Sequence, residues 1–126
     1  MSAKSAEEIC RLFREYMAMG DIDSVLDIIY DHDVVFINQA GDARNGREAL
    51  RQEIAPFAAV KAVFDFDIKQ VIQAGDIALM HTEWKVSSPH HQISMYAIEV
   101  ARRQSDGTWR WLIGDPFAVG RNKAGS

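Results

Sequence analysis

The sequence predicts an α+β fold in which helices come first and a run of antiparallel strands comes last. Three observations carry this. Apolar residues recur at helical spacing through the first third, from Ile9 to Ile29. From Val60 onward the period changes to two, the spacing of half-buried strands. Tight-turn signals, Ala74-Gly75-Asp76 and Ser105-Asp106-Gly107, then join strand-like stretches, as between antiparallel neighbours.

The elements follow in order. Residues 3–19 read as an amphipathic helix, with Ser5 as N-cap and Glu8 three residues on, a capping-box pattern. Ile9, Leu12, Phe13, Tyr16 and Met17 share one face, and Gly20 ends the helix, glycine being the residue most tolerant of the left-handed cap. Asp21 and Ser24 offer caps for a second, shorter helix holding Val25, Leu26, Ile28 and Ile29. Asp31-His32-Asp33 breaks that pattern and leads into a short strand, VVFIN. Residues 39–46 are turn-rich, a loop or hairpin tip. A third helix is predicted over 47–55, ended by Pro56. In VFDFDIKQVI, Phe64, Phe66, Ile68 and Ile72 are assigned to one face and Asp65, Asp67 and Lys69 to the other. Strands IALMHTEWKV, QISMYAIEVARR and TWRWLIGDPFAV follow, the last with a bend at Gly114 and Pro116.

Composition bounds the rest. A chain of 126 residues, 48% hydrophobic and 25% charged, reads as one globular domain, here 1–120 with a flexible tail at 121–126. The net charge of -4 argues against nucleic acid or an anionic membrane as partner, since both attract basic patches. A single cysteine, Cys10, excludes an internal disulfide and fits a reducing compartment. The charged N-terminus lacks a signal-peptide core, and no stretch approaches the ~20 apolar residues of a membrane span. The expectation is a cytoplasmic protein. Strand 76–86 carries Ile77 and Leu79 on one face and Ala78, Met80, Trp84 and Val86 on the other. Apolar residues on both faces mean that both are covered, and with so few helices a second subunit is the economical cover. A homodimer is expected.

The order helix, Gly20-Asp21-Ile22-Asp23, helix, strand 34–38, Gly46-Arg47-Glu48-Ala49-Leu50, then long strands closing on RRQSDGTWRW resembles the nuclear transport factor 2-like superfamily. Its cone-shaped fold is shared by SnoaL-like polyketide cyclases, ketosteroid isomerases and many bacterial proteins of unknown function. The resemblance implies three helices packed on a strongly curved, mainly antiparallel sheet, an apolar pocket inside the cone, and a homodimer through the outer sheet. Ketosteroid isomerases are similar but carry a carboxylate base at the end of the first strand, where this chain has Ile37 and then Asn38. Where they have an oxyanion-hole tyrosine this chain has Phe13, with Tyr16 one turn later; only Glu99 stands where they keep a protonated acid. The resemblance therefore does not extend to steroid isomerisation. SnoaL-like cyclases use an acid near the last strand, which Asp115 would match.

The residues themselves offer candidate chemistry. Asp115 is read on one strand face with Trp109, Trp111, Ile113 and Phe117, where desolvation would raise its pKa toward a value useful for moving protons; the alternative is a turn cap before Pro116. His81 and Glu83, two residues apart on a strand, form either an imidazole–carboxylate pair or a solvated, dimer-facing pair beside Lys85. Asn38 is either a ligand donor or a turn initiator. Glu99 either pairs with Arg102 or Arg103 or lines the pocket. The catalytic candidates are Asp115 and then Glu99; the pocket candidates are Phe13, Tyr16, Phe36, Asn38, Phe57, His81 and Trp111. His90-His91 lacks partners at metal-ligand spacing, Asp31-His32-Asp33 reads as a solvated helix-to-strand loop, and no phosphate loop, dinucleotide fingerprint or nucleophile elbow occurs. No metal and no cofactor are expected. The expected function is an apolar pocket for a small hydrophobic molecule; a carboxylate-based cyclase or isomerase and a non-catalytic association module are the alternatives.

Overall fold

The computed structural model describes residues 2–117, so the predicted tail at 121–126 lies outside the described residues. The first helix, α1 (Ala6–Met19), starts where Ser5 accepts the Glu8 N–H at 3.2 Å. The Glu8 carboxylate in turn accepts the Lys4 N–H, one residue earlier than a regular capping box. Gly20 closes the helix at φ 72°. Asp21 caps a single turn, α2 (Ile22–Ser24), through the Ser24 N–H and hydroxyl, and Val25–Ile29 continues it as a π-helical turn. The wider turn buries Val25, Leu26 and Ile29 together against the core.

Strand β1 (Tyr30–Ile37) begins earlier than its sequence suggests. Asp31-His32-Asp33 lies within it, and Asp31 is only 4% exposed. The reason lies 71 residues away: Arg102 donates to both Asp31 carboxylate oxygens (2.7 and 3.0 Å), and Gln104 donates to one of them at 2.9 Å. Burial alone would raise the Asp31 pKa, but these donors outweigh it and hold the carboxyl below its usual range. Strand β2 (Ala43–Asn45) returns antiparallel to β1 across the predicted hairpin tip.

Helix α3 (Arg47–Ala59) runs one turn past its predicted end, with Pro56 inside it. Proline there removes one backbone donor close to the C-terminus, where few further turns depend on it. The long strands β3 (Val63–Ala74), β4 (Ile77–Ser87), β5 (Gln92–Arg103) and β6 (Trp109–Asp115) complete one six-stranded sheet in the order β2-β1-β6-β5-β4-β3. Only the β1–β6 pairing is parallel. Three helices packed on this curved, mostly antiparallel sheet make the α+β cone. No helix among the described residues is long and apolar enough to cross a membrane.

Two bulges decide which side chains enter the cone. Between Ile68 and Gln70 the β3–β4 register slips, so Lys69 is the extra residue. Beyond it Val71 packs against the core and Ile72 is 50% exposed, the reverse of strict alternation from Phe64. The β5–β6 register slips between Val100 and Ala101, leaving Leu112 as the extra residue. Trp111 and Gly114 then share the face of Ala101 and Glu99, while Ile113 pairs with Val100 and is 41% exposed.

A buried carboxylate in an aromatic cavity

A cavity of about 150 Å³ lies between α1, α3 and the inner sheet face. Its wall is largely aromatic: Phe13, Tyr30, Phe36, Phe57, Phe64, Trp84, Trp111 and Phe117 line it. These rings brace one another. Phe13 from α1 meets Phe64, Trp84 and Trp111 at centroid distances of 4.9, 5.6 and 5.4 Å, and Trp84 meets Trp111 nearly perpendicularly at 6.0 Å. Edge-to-face pairs of this kind are favoured by the ring quadrupole, so the wall is a mutually supported unit.

Glu99 of β5 also lines this cavity and is 6% exposed. Its Oε1 accepts the Thr82 hydroxyl at 2.9 Å and its Oε2 accepts the Trp84 indole N–H at 3.1 Å. Both donors come from the inner face of β4, where even-numbered residues point inward. Register explains the pairing: Thr82 lies opposite Ala97 and Met80 opposite Glu99, so Thr82 and Trp84 lie along the strand from Glu99 on the same face. Burial raises the Glu99 pKa, the two hydrogen bonds lower it, and the balance is a carboxyl at about 7. The Tyr30 phenol and the Cys10 thiol are pushed well above their ordinary ranges, first by burial and next by the nearby Glu99 charge.

Asp115 lines the cavity too, but not on the strand face read from sequence. The Leu112 bulge separates it from Trp109 and Trp111, and it pairs with the half-buried Ile98. Its Oδ1 accepts the Phe117 N–H at 3.1 Å, capping the turn that contains Pro116. Asp115→Ala is expected to lower stability by about 0.5–1.5 kcal/mol at pH 7, the range for one lost net hydrogen bond; chemical denaturation at that pH reads it. An unchanged midpoint would show that the cap contributes nothing.

The remaining candidates divide. Phe13, Phe36, Phe57 and Trp111 line the cavity. His81 does not: it lies on the outer face of β4 and is exposed, because its neighbours Met80 and Thr82 take the inner face. Tyr16 packs half-buried against the core without reaching the cavity. Asn38 turns the β1–β2 hairpin, its Oδ1 accepting the Asp42 N–H at 2.9 Å. Sequence reasoning missed Thr82 and Trp84 as partners of Glu99. Their signal was the i, i+2 spacing on β4 shared with Met80, set against the one acid on the inner face of β5. Among the described residues no three His, Cys, Asp or Glu side chains come together to hold a metal ion.

These features belong to a known class. Residues 10–112 match the model of the SnoaL-like domain, and the chain belongs to that family. An NTF-2-like protein of unknown function from Shewanella oneidensis MR-1 superposes with a TM-score of 0.73 at 16% identity, covering 86% of this chain and 93% of its own. A candidate calcium/calmodulin-dependent protein kinase type II association domain from Thiobacillus denitrificans gives 0.74 at 16% identity, covering 92% and 98%. A ketosteroid isomerase-like protein from Erwinia carotovora atroseptica gives 0.63 at 18% identity, covering 86% and 89%. At these identities the likeness is one of fold. A search of curated proteins found no match.

Proposed function

We propose that this SnoaL-like protein is a homodimer whose aromatic cavity binds a small hydrophobic molecule. The observation that carries the reading is the cavity itself, about 150 Å³ in volume and walled by eight aromatic side chains. An apolar cavity of ~150 Å³ is large enough for a benzene-sized molecule. Titrating the ¹⁵N-labelled protein with ethylbenzene tests it: saturable shifts confined to cavity-lining residues such as Phe36, Leu50 and Ala97 support binding there. No shifts, or shifts spread over the outer sheet, contradict it.

A second reading, proton transfer next to a carbonyl, is favoured by one observation, the Glu99 carboxyl at about 7 inside that cavity. A group half-ionised near neutrality can both take and return a proton. Glu99 rather than Asp115 is the candidate acid–base here, because the Asp115 carboxylate is engaged in its turn.

The dimer rests on the outer face of the sheet. Ile72, Leu79, Val100, Ile113 and Val35 stand opposite one another in register across β3, β4, β5, β6 and β1. Such an unbroken apolar row on a solvent-side face marks a contact surface. Sedimentation at micromolar concentration is expected to give twice the 14.2 kDa chain mass, and Val100→Asp is expected to halve it. A stable wild-type monomer would contradict the dimer.

A further inference from the structure

The outer face of the sheet carries an ionisable group beside its apolar row. His81 of β4 is exposed there, opposite Gln70 of β3 and Ile98 of β5. Leu79, two residues before it on the same face, belongs to the row Ile72, Leu79, Val100 and Ile113. The exposed large side chains Ile72, Ile77, Tyr96 and Ile113 all share this face. The other titratable and charged groups around His81 come from each strand of the face: Glu83 and Lys85 from β4, Asp65, Asp67 and Lys69 from β3, Tyr96 and Arg102 from β5, Arg110 and Asp115 from β6. The nearer carboxylates already have partners. Glu83 accepts the Tyr96 hydroxyl, Asp67 accepts the Lys69 ammonium at 2.6 Å, and Asp115 accepts the Phe117 N–H.

We infer that His81 makes this face a pH-sensitive interface: a second copy of the chain covers the neutral imidazoles, and their protonation separates the pair. The inference rests on the dimer proposed above and assigns its regulation. Area places His81 inside the contact. A stable dimer covers about 800 Å² on each copy. The strands β3, β4, β5, β6 and β1, about 4.8 Å apart, give a face about 24 Å wide, so that contact must run about 33 Å along them. Outward positions recur every ~6.8 Å along a strand, so a contact centred on the apolar row reaches about two positions to either side. His81 is the first of these after Leu79. A neutral imidazole can be buried in such a contact, whereas an imidazolium taken into it without a free carboxylate partner is costly. Two-fold symmetry places the His81 of both copies in the contact, so separation takes up a proton on each copy and acid favours it.

Sedimentation of the full chain over a concentration series at pH 7.5 and pH 5.5 tests this. The wild-type dimer dissociation constant is expected to rise at least about tenfold at the lower pH. His81→Gln, neutral at both values, is expected to hold its constant within about threefold across the same interval. His81→Lys, charged at both, is expected to weaken the dimer at least about tenfold at pH 7.5, a readout that needs no change of pH. A wild-type constant unmoved by pH overturns the inference and leaves the dimer standing. So does a His81→Gln dimer that separates in acid as the wild type does, or a His81→Lys dimer as tight as the wild type. A wild-type monomer at both values overturns both.

Discussion

Glu99→Gln is expected to be more stable than the wild-type protein at pH 8 and to lose most of its pH dependence between pH 5 and 8. In the folded protein the Glu99 carboxyl titrates at about 7, above the ordinary value of 4.5. The folded state therefore holds a proton that the unfolded chain has already released across that interval. The stability contributed by the protonated acid is fully present below pH 4.5 and is lost as pH rises through about 7. Integrated over the window, this amounts to on the order of 3 kcal/mol. An amide fits the same site without a charge: its oxygen accepts the Trp84 N–H and its NH₂ group donates to the Thr82 oxygen. The Thr82 hydroxyl can turn to the neighbouring Cys10 sulfur, with which it already interacts. Urea denaturation of both proteins at pH 5 and pH 8 reads the effect. A wild-type protein equally stable at both values would show that Glu99 ionises without penalty.

Phe13→Ala is expected to cost about 3–5 kcal/mol, the range for emptying a large aromatic site in a core. Phe13 is 6% exposed and touches Tyr30, Phe64, Trp84 and Trp111, so its removal strips four rings of a common partner. The same substitution enlarges the cavity. Small aromatic molecules added to the variant are expected to restore part of the loss, because a ligand that binds only the folded state stabilises it by mass action. A loss below about 1 kcal/mol would mean that the aromatic wall collapses freely and is not a preformed site.

Much of the fold was legible because it is written locally. The Ser5 cap, the glycine stop at Gly20 and the turns at Gly75 and Gly107 each depend on a few adjacent residues, and the helix-to-strand change of period depends on one stretch. The site was half legible. Phe13 and Trp111 sit on the apolar faces that periodicity assigns, Phe36 and Phe57 were named as pocket candidates without an assigned face, and Glu99 was one of two acids singled out. The errors have a common origin in pairing between distant segments. An extra residue at Lys69 or Leu112 is invisible in a period-two pattern, yet it reverses the facing of every residue beyond it. That is how Ile72 came to the outside and why Asp115 left the tryptophan face. Asp31 read as part of a solvated break because its stabilising partners, Arg102 and Gln104, lie across the sheet. His81 could be placed only once the inward parity of β4 was fixed by Met80, Thr82 and Trp84.

The most direct test of the central claim, a buried acid facing a ligand cavity, is a pH titration of the Glu99 side-chain carboxyl by ¹³C NMR with and without ethylbenzene. The predicted midpoint is about 7 in the free protein, moving higher when the hydrocarbon fills the cavity and excludes water from the carboxylate. A midpoint near the ordinary 4.5, or one that saturating ethylbenzene leaves unmoved, would contradict it.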